Sequence, residues 1–175
     1  MIIRPVAKSD VTAFQEIMKT SIRALCTEAY GAAATAAWIA DDNPAFHFKM
    51  PEFAYLAEED GEIITAGGWS LTNSVALHAA GHTANAGAVQ AASHARINAV
   101  YSKPAFAGRG FGHKMMAYLE ADIRQRSALR DIYLWSTKNA IPFYLSCGYT
   151  AGIDEYPEVA PGHKIQVRYM WKRLG

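Results

Sequence analysis

The stretch "KPAFAGRGFGHKMM", residues 103–116, sets Gly108, Gly110 and Gly112 at alternate positions around Arg109 and Phe111. Upstream, "ARINAVYS" (residues 95–102) has the β-branched and aromatic character of a strand, and Lys103-Pro104 stops it. Downstream, Met115 or Met116, Leu119 and Ile123 recur at helical spacing. Strand, glycine turn and helix follow one another. Glycines placed this way let the backbone curl so that several N–H groups point at one spot, where the helix dipole also favours negative charge. That spot suits a phosphate, although a helix can also begin after a glycine turn for packing reasons alone.

Around this turn the chain reads as an α/β domain. "MIIRP" is a short strand, and a helix that Ser9 or Asp10 could cap follows, with Val11, Phe14, Ile17, Met18 and Ile22 forming its apolar face. Residues 27–41 predict a second, alanine-rich helix that carries Tyr30 and Trp38 and breaks at Asn43-Pro44. "FAYLAEE" and "EIITAGGWSL" flank Asp60-Gly61, a strong hairpin signal. Residues 72–93 carry little periodicity and predict a long connection. "DIYLWST" closes a βαβ unit, a short helix near 140–147 ends at Gly148, and "KIQVRYMWKRL" alternates as a last strand.

Composition narrows the function classes. Seventeen basic against sixteen acidic residues give a formal charge of +1 over 175 residues, without a run of like charges for a nucleic acid or a membrane surface. A small, near-neutral partner is expected. Cys26 and Cys147 read as free thiols, and with no signal-peptide pattern at the start a cytoplasmic location is expected. The longest apolar-looking stretch, residues 31–40, is far short of the roughly 20 residues a membrane span needs. His78 and His82 could ligate a metal on a helix, but no third ligand is evident, so no metal is expected.

Three phosphate-binding patterns compete for the glycine turn. A P-loop requires a hydroxyl after Gly-Lys, and here Met115 follows His113-Lys114. A Rossmann fingerprint needs its third glycine where His113 stands and a tight turn directly after the strand, whereas Pro104 to Ala107 intervene. A dinucleotide-binding oxidoreductase fragment is therefore the weakest reading. The stretch "ARINAVYSKPAFAGRGFGHKMMAYLEADI" instead resembles the acetyl-CoA motif of the Gcn5-related N-acetyltransferases (GNAT), in which Q/R-x-x-G-x-G/A opens a helix on the cofactor's pyrophosphate. Ala107 stands where that family usually has Gln or Arg. About 30 residues on, "NAIPFYLSCGY" is similar to the family's later motif through Asn139, Phe143-Tyr144 and Gly148-Tyr149.

The resemblance implies a single acyl-CoA N-acyltransferase domain over residues 1–175, with a mixed, mostly antiparallel sheet of about six or seven strands and about four helices. It implies acetyl-CoA bound by Val100, Tyr101, Ser102, Ala107, Gly108, Arg109, Gly110, Gly112, His113, Asn139 and Tyr144, and transfer of acetyl to an amine of a small molecule or a protein. By the same resemblance Tyr144 protonates the departing thiolate; otherwise it is a core aromatic. Asn139 fits a cofactor contact and a helix N-cap equally. Many relatives carry a glutamate on the strand before the turn, but this strand begins His94-Ala95-Arg96-Ile97-Asn98, leaving His94 as the candidate base unless it is a surface residue. Tyr30, Trp38, Phe46 and Trp69 are candidate walls for the acceptor, whose charge the sequence does not give. A non-catalytic acyl-CoA sensor is the alternative, and there is room for a homodimer.

Overall fold

Asp60 and Gly61 both adopt positive φ, 51° and 77°, the pair of left-handed residues that a two-residue hairpin of matching twist requires. The hairpin they close is the centre from which the sheet grows. The computed structural model describes residues 1–40, 51–72 and 94–175. In chain order its elements are β1 (Ile2–Pro5), α1 (Val11–Leu25), α2 (Thr27–Tyr30), α3 (Ala32–Trp38), β2 (Phe53–Glu59), β3 (Glu62–Thr72) and β4 (His94–Ser102). Then follow α4 (Phe111–Arg126), β5 (Asp131–Thr137), α5 (Ile141–Ser146), β6 (Thr150–Glu155), β7 (Glu158–Ala160), β8 (His163–Lys164) and β9 (Val167–Arg173). Seven strands form the main sheet in the order β1-β2-β3-β4-β5-β9-β6, and β7 pairs with β8 beside it. All main-sheet pairs are antiparallel except β4 and β5, the two strands that α4 connects.

The two faces of the sheet are packed differently. On one face α4 buries Met115, Met116, Leu119 and Ile123 against Ile64, Ile97, Ile132, Leu134 and Met170. Buried Asp122 anchors this packing, accepting hydrogen bonds from Tyr55 Oη at 2.6 Å, Trp69 Nε1 at 2.8 Å and Arg126 Nε at 2.7 Å. On the other face, α1 sets Phe14 and Ile17 on Leu56 and Ala66, and Met18 and Ile22 on Cys26 and Ile39. These clusters are smaller and, among the described residues, do not reach β5 and β9.

Several local features differ from the sequence expectation. The alanine-rich helix is two helices, because Gly31 takes φ +84° and its N–H caps the carbonyl of Thr27. The proposed break at Asn43-Pro44, the candidate wall Phe46 and the His78/His82 pair all lie outside the described residues, as does the connection over 73–93. Asp10 stands at the start of α1, but its carboxylate turns back to Ala7 N–H and Arg4 instead of capping α1. Trp69 is 1% exposed in the α4 core, where Asp122 binds its indole N–H, so it does not line an acceptor site. No helix among the described residues is long and apolar enough to cross a membrane.

Candidate active site where β4 and β5 part

The glycine turn is built as its spacing implies, with different reasons at different positions. Gly108 and Gly110 have φ of +74° and +82°, which side-chain-bearing residues rarely adopt. Gly112 has an ordinary backbone; there a Cβ would stand 3.2 Å from the Phe143 ring, so its smallness lets α4 approach α5. The first intrahelical bond of α4 runs from Lys114 N–H to Gly110 carbonyl. The N–H groups of Phe111, Gly112 and His113 therefore have no helical acceptor and form a cluster of donors at the positive end of the helix. Arg109 is turned away, with its guanidinium stacked on the rings of Phe106 at 5.0 Å and Phe111 at 5.4 Å. His113 shares a hydrogen bond of 2.9 Å with Ser146 Oγ.

The second part of the site is a gap in the sheet. β4 and β5 are in register only at Ala95 with Ile132 and Arg96 with Tyr133, after which the strands diverge. Ala99 takes φ +59° in a bulge where the β3–β4 register shifts between Ala66 and Gly68. Beyond it the edge of β4 facing β5 has no partner strand among the described residues. Lys103 N–H bonds the Ile64 carbonyl on β3, so strand alternation turns the N–H and C=O of Ser102 into the gap. The cleft so formed, about 650 Å³, runs from Asn98, Val100 and Ser102 to the glycine turn. Its far wall carries Asn139 and Tyr144.

Tyr144 is 8% exposed and packs edge-on against Phe143 and Tyr149. Burial, with Tyr101 and Cys147 nearby, raises its phenol well above the usual tyrosine value. It stays protonated at physiological pH. Cys26 also reaches this cleft; burial pushes its thiol up to about 11 despite hydrogen bonding to Asn139 and Thr137. Asn139 thus faces the cleft, while Ala140 stands at the N-cap of α5.

A wider cleft of about 1100 Å³ opens on the side of the sheet away from α4. Both clefts share one floor, made by Ile97, Asn98, Ala99, Tyr101, Trp135 and Thr137. Trp38 lines the wider cleft. Tyr30 instead fastens α2 to the sheet, donating to the Gln166 carbonyl and accepting from Lys138 N–H, both at 2.6 Å. His94 stands at the start of β4, against Tyr133 and outside the linings of both clefts. Six residues along a strand is about 20 Å, so His94 is not brought to Val100.

One of the two acidic residues lining the wider cleft, Glu155, comes from β6 and was missed in the sequence; the other is Glu52. Glu155 pairs with Val167, and Val167 with Thr137, in one row across β6, β9 and β5. Directly opposed residues share a face, and two strand spacings put Glu155 about 10 Å from Thr137. Among the described residues no group of three His, Cys, Asp or Glu is placed to hold a metal ion.

Residues 18–149 match the family model for the acetyltransferase (GNAT) family. No curated protein matches the chain. Among solved structures, a GCN5-related N-acetyltransferase from Rhodopseudomonas palustris is similar with a TM-score of 0.74 at 20% identity, covering 99% of this chain and 95% of that one. PaiA N-acetyltransferase from Thermoplasma acidophilum, in complex with coenzyme A, has a TM-score of 0.66 at 14% identity, with 98% of each chain covered. YncA, a putative acetyltransferase from Salmonella typhimurium with its cofactor acetyl-CoA, has a TM-score of 0.59 at 19% identity, covering 100% of this chain and 94% of that one.

Proposed function

Because the chain belongs to the GNAT family of acetyltransferases, we propose that it transfers acetyl from acetyl-CoA to a primary amine by direct attack in a ternary complex. The observation that carries this reading is the floor common to two clefts. One cleft ends in a cluster of backbone donors suited to a pyrophosphate, the other is open to an acceptor, and they meet where β4 and β5 part. The complexes of PaiA with coenzyme A and of YncA with acetyl-CoA support the same ligand here.

The residues fit acetyl-CoA, which supplies the thioester. The N–H groups from Gly108 to His113 hold the pyrophosphate, and they need no side chain from Ala107 to do so. The exposed edge of β4 from Val100 to Ser102 hydrogen-bonds the pantetheine arm, with Tyr101 beneath it. The neutral amine attacks the thioester carbonyl carbon; a C–N bond forms and the C–S bond breaks. Tyr144 donates its phenolic proton to the departing sulfur. Glu155, through water, accepts the proton the amine must lose, the role the strand sequence offered to His94.

Thiol release at saturating acetyl-CoA, measured across a panel of amines, tests this. Acetyl-CoA should raise the melting temperature, and at least one amine should accelerate thiol release. A thermal shift with no amine accelerating release would leave an acyl-CoA-binding module, and no shift at all would remove the cofactor cleft.

A further inference from the structure

Among the described residues, the wider cleft contains one arginine, Arg96, and it is in no ion pair. Its guanidinium carbon lies 4.6 Å from the centre of the Trp135 ring. The guanidinium lies over the ring with no carboxylate in ion-pair contact among the described residues, and a planar guanidinium can receive a carboxylate in bidentate fashion. Arg96 pairs in register with Tyr133 on β5, so it projects from the face that also carries Trp135 and Glu155.

Two further groups point to a ligand rather than to an idle surface charge. The Oδ1 of Asn98 and the Nε1 of Trp135 are buried without a hydrogen-bond partner among the described residues, and both residues belong to the floor common to the two clefts. A buried polar atom left unpaired is costly unless a bound molecule completes it. Asn98 is two residues beyond Arg96 on the same face of β4, about 7 Å away and closer to the gap. The row thus offers an anion site and, nearer the reaction centre, an acceptor for an amine N–H.

We infer that the acceptor is an amine that also carries a carboxylate, with the carboxylate on Arg96 and the amine nitrogen at Asn98; this rests on the transferase reading above. Glu52 and Glu155 line the same cleft. A dianionic phosphate would bring two negative charges beside both carboxylates with one arginine among the described lining residues to hold it, whereas a carboxylate brings one. The cleft is complementary to mixed charge, as in an amino acid or a short peptide.

The test uses matched acceptor pairs at saturating acetyl-CoA: amino acids and dipeptides against their C-terminal amides and decarboxylated counterparts, with phosphoethanolamine as a further arm. The carboxylated member of each productive pair should have the higher kcat/KM, by about 10- to 100-fold, the range expected for a charge-assisted hydrogen bond. In Arg96→Gln that ratio should fall close to one, and Arg96→Lys should recover part of it. Arg96 is exposed, so both variants should melt with the wild type. Equal turnover of the matched pairs, or a ratio that survives Arg96→Gln, overturns the inference while leaving the transferase reading intact. Preference for phosphoethanolamine over every carboxylated amine overturns the carboxylate. Thiol release that no amine accelerates overturns both readings.

Discussion

The two clefts that meet at the divergence of β4 and β5 are made of different materials. The cofactor cleft presents main-chain groups: the first N–H groups of α4, the edge of β4 and two glycines with positive φ. The acceptor cleft presents side chains gathered from α3, β3, β4, β5 and β6, among them Trp38, Arg96, Trp135 and Glu155. In the function proposed above, backbone donors recognise what every substrate pair has in common, and side chains recognise what differs. Substitutions should therefore separate into those that abolish cofactor binding and those that alter rate or choice of acceptor.

The sharpest way to break this contrast is at the turn. Gly110→Val puts a β-branched residue where φ is +82°, and the resulting shift should misdirect the N–H cluster. Strain of about 1–2 kcal/mol together with at least one lost donor predicts a fall in acetyl-CoA affinity of about 100-fold or more. Isothermal titration reads this directly, and Gly110→Asn, which tolerates the left-handed region, should lose less. Wild-type affinity in the valine variant would mean that side chains hold the cofactor after all.

Tyr144→Phe should act on rate instead. Removing a general acid costs about 100-fold or more in kcat, while acetyl-CoA affinity should change little because the aromatic packing is kept. The pH dependence follows from burial. The phenols of Tyr55, Tyr101, Tyr144 and Tyr149 are all raised above the ordinary value, and that of Tyr169 is pushed up to about 12. A raised folded-state value stabilises fully below the unfolded value near 10, and that contribution is lost as pH rises above it. Absorbance of phenolate should accordingly lag until the protein begins to unfold. A fall in kcat between pH 8 and 9 that Tyr144→Phe removes would contradict the raised value.

Glu155→Gln should have a smaller effect, about tenfold in kcat near neutral pH, since water relays the proton. The deficit should shrink at higher pH, where the amine loses its proton unaided. A deficit that is constant with pH would assign Glu155 to acceptor binding rather than to proton transfer.

The same difference in material explains what could be read from the sequence. The turn, α4, β5 and α5 are contiguous, and glycines at Gly108 and Gly110 are required by local φ, so one strip of sequence showed one wall of the site. The strip gave no sign that β9 enters between β5 and β6. That insertion creates the row Thr137, Val167 and Glu155, in which the acidic residue lies 18 positions from Thr137. Seeking a base only on β4 therefore led to His94, whose end of the strand is still paired with β5. Trp69 was offered to the acceptor because sequence alternation does not say which face of β3 meets α4; Asp122 decides it. Arg96 was visible as a residue, but its charge becomes informative only with Trp135 beneath it.

The mildest substitution probes the floor, where the two materials meet. Ala99 holds φ +59°, a conformation that costs a residue with a Cβ about 1–2 kcal/mol. Ala99→Gly relieves that strain, but it adds about 0.5–1 kcal/mol of chain entropy to be lost on folding. It also removes a methyl that packs near Phe14 and Ile17, worth up to about 0.8 kcal/mol if fully buried. These terms nearly cancel, so stability should stay within about 0.5 kcal/mol of the wild type, and the KM for acetyl-CoA should stay within about twofold, since only the course of the main chain matters on this side. Chemical denaturation and steady-state kinetics measure both. A KM raised about tenfold at unchanged stability would show that the methyl itself shapes the floor, and the division between a backbone-built cofactor side and a side-chain-built acceptor side would then fail at the point where it should be cleanest.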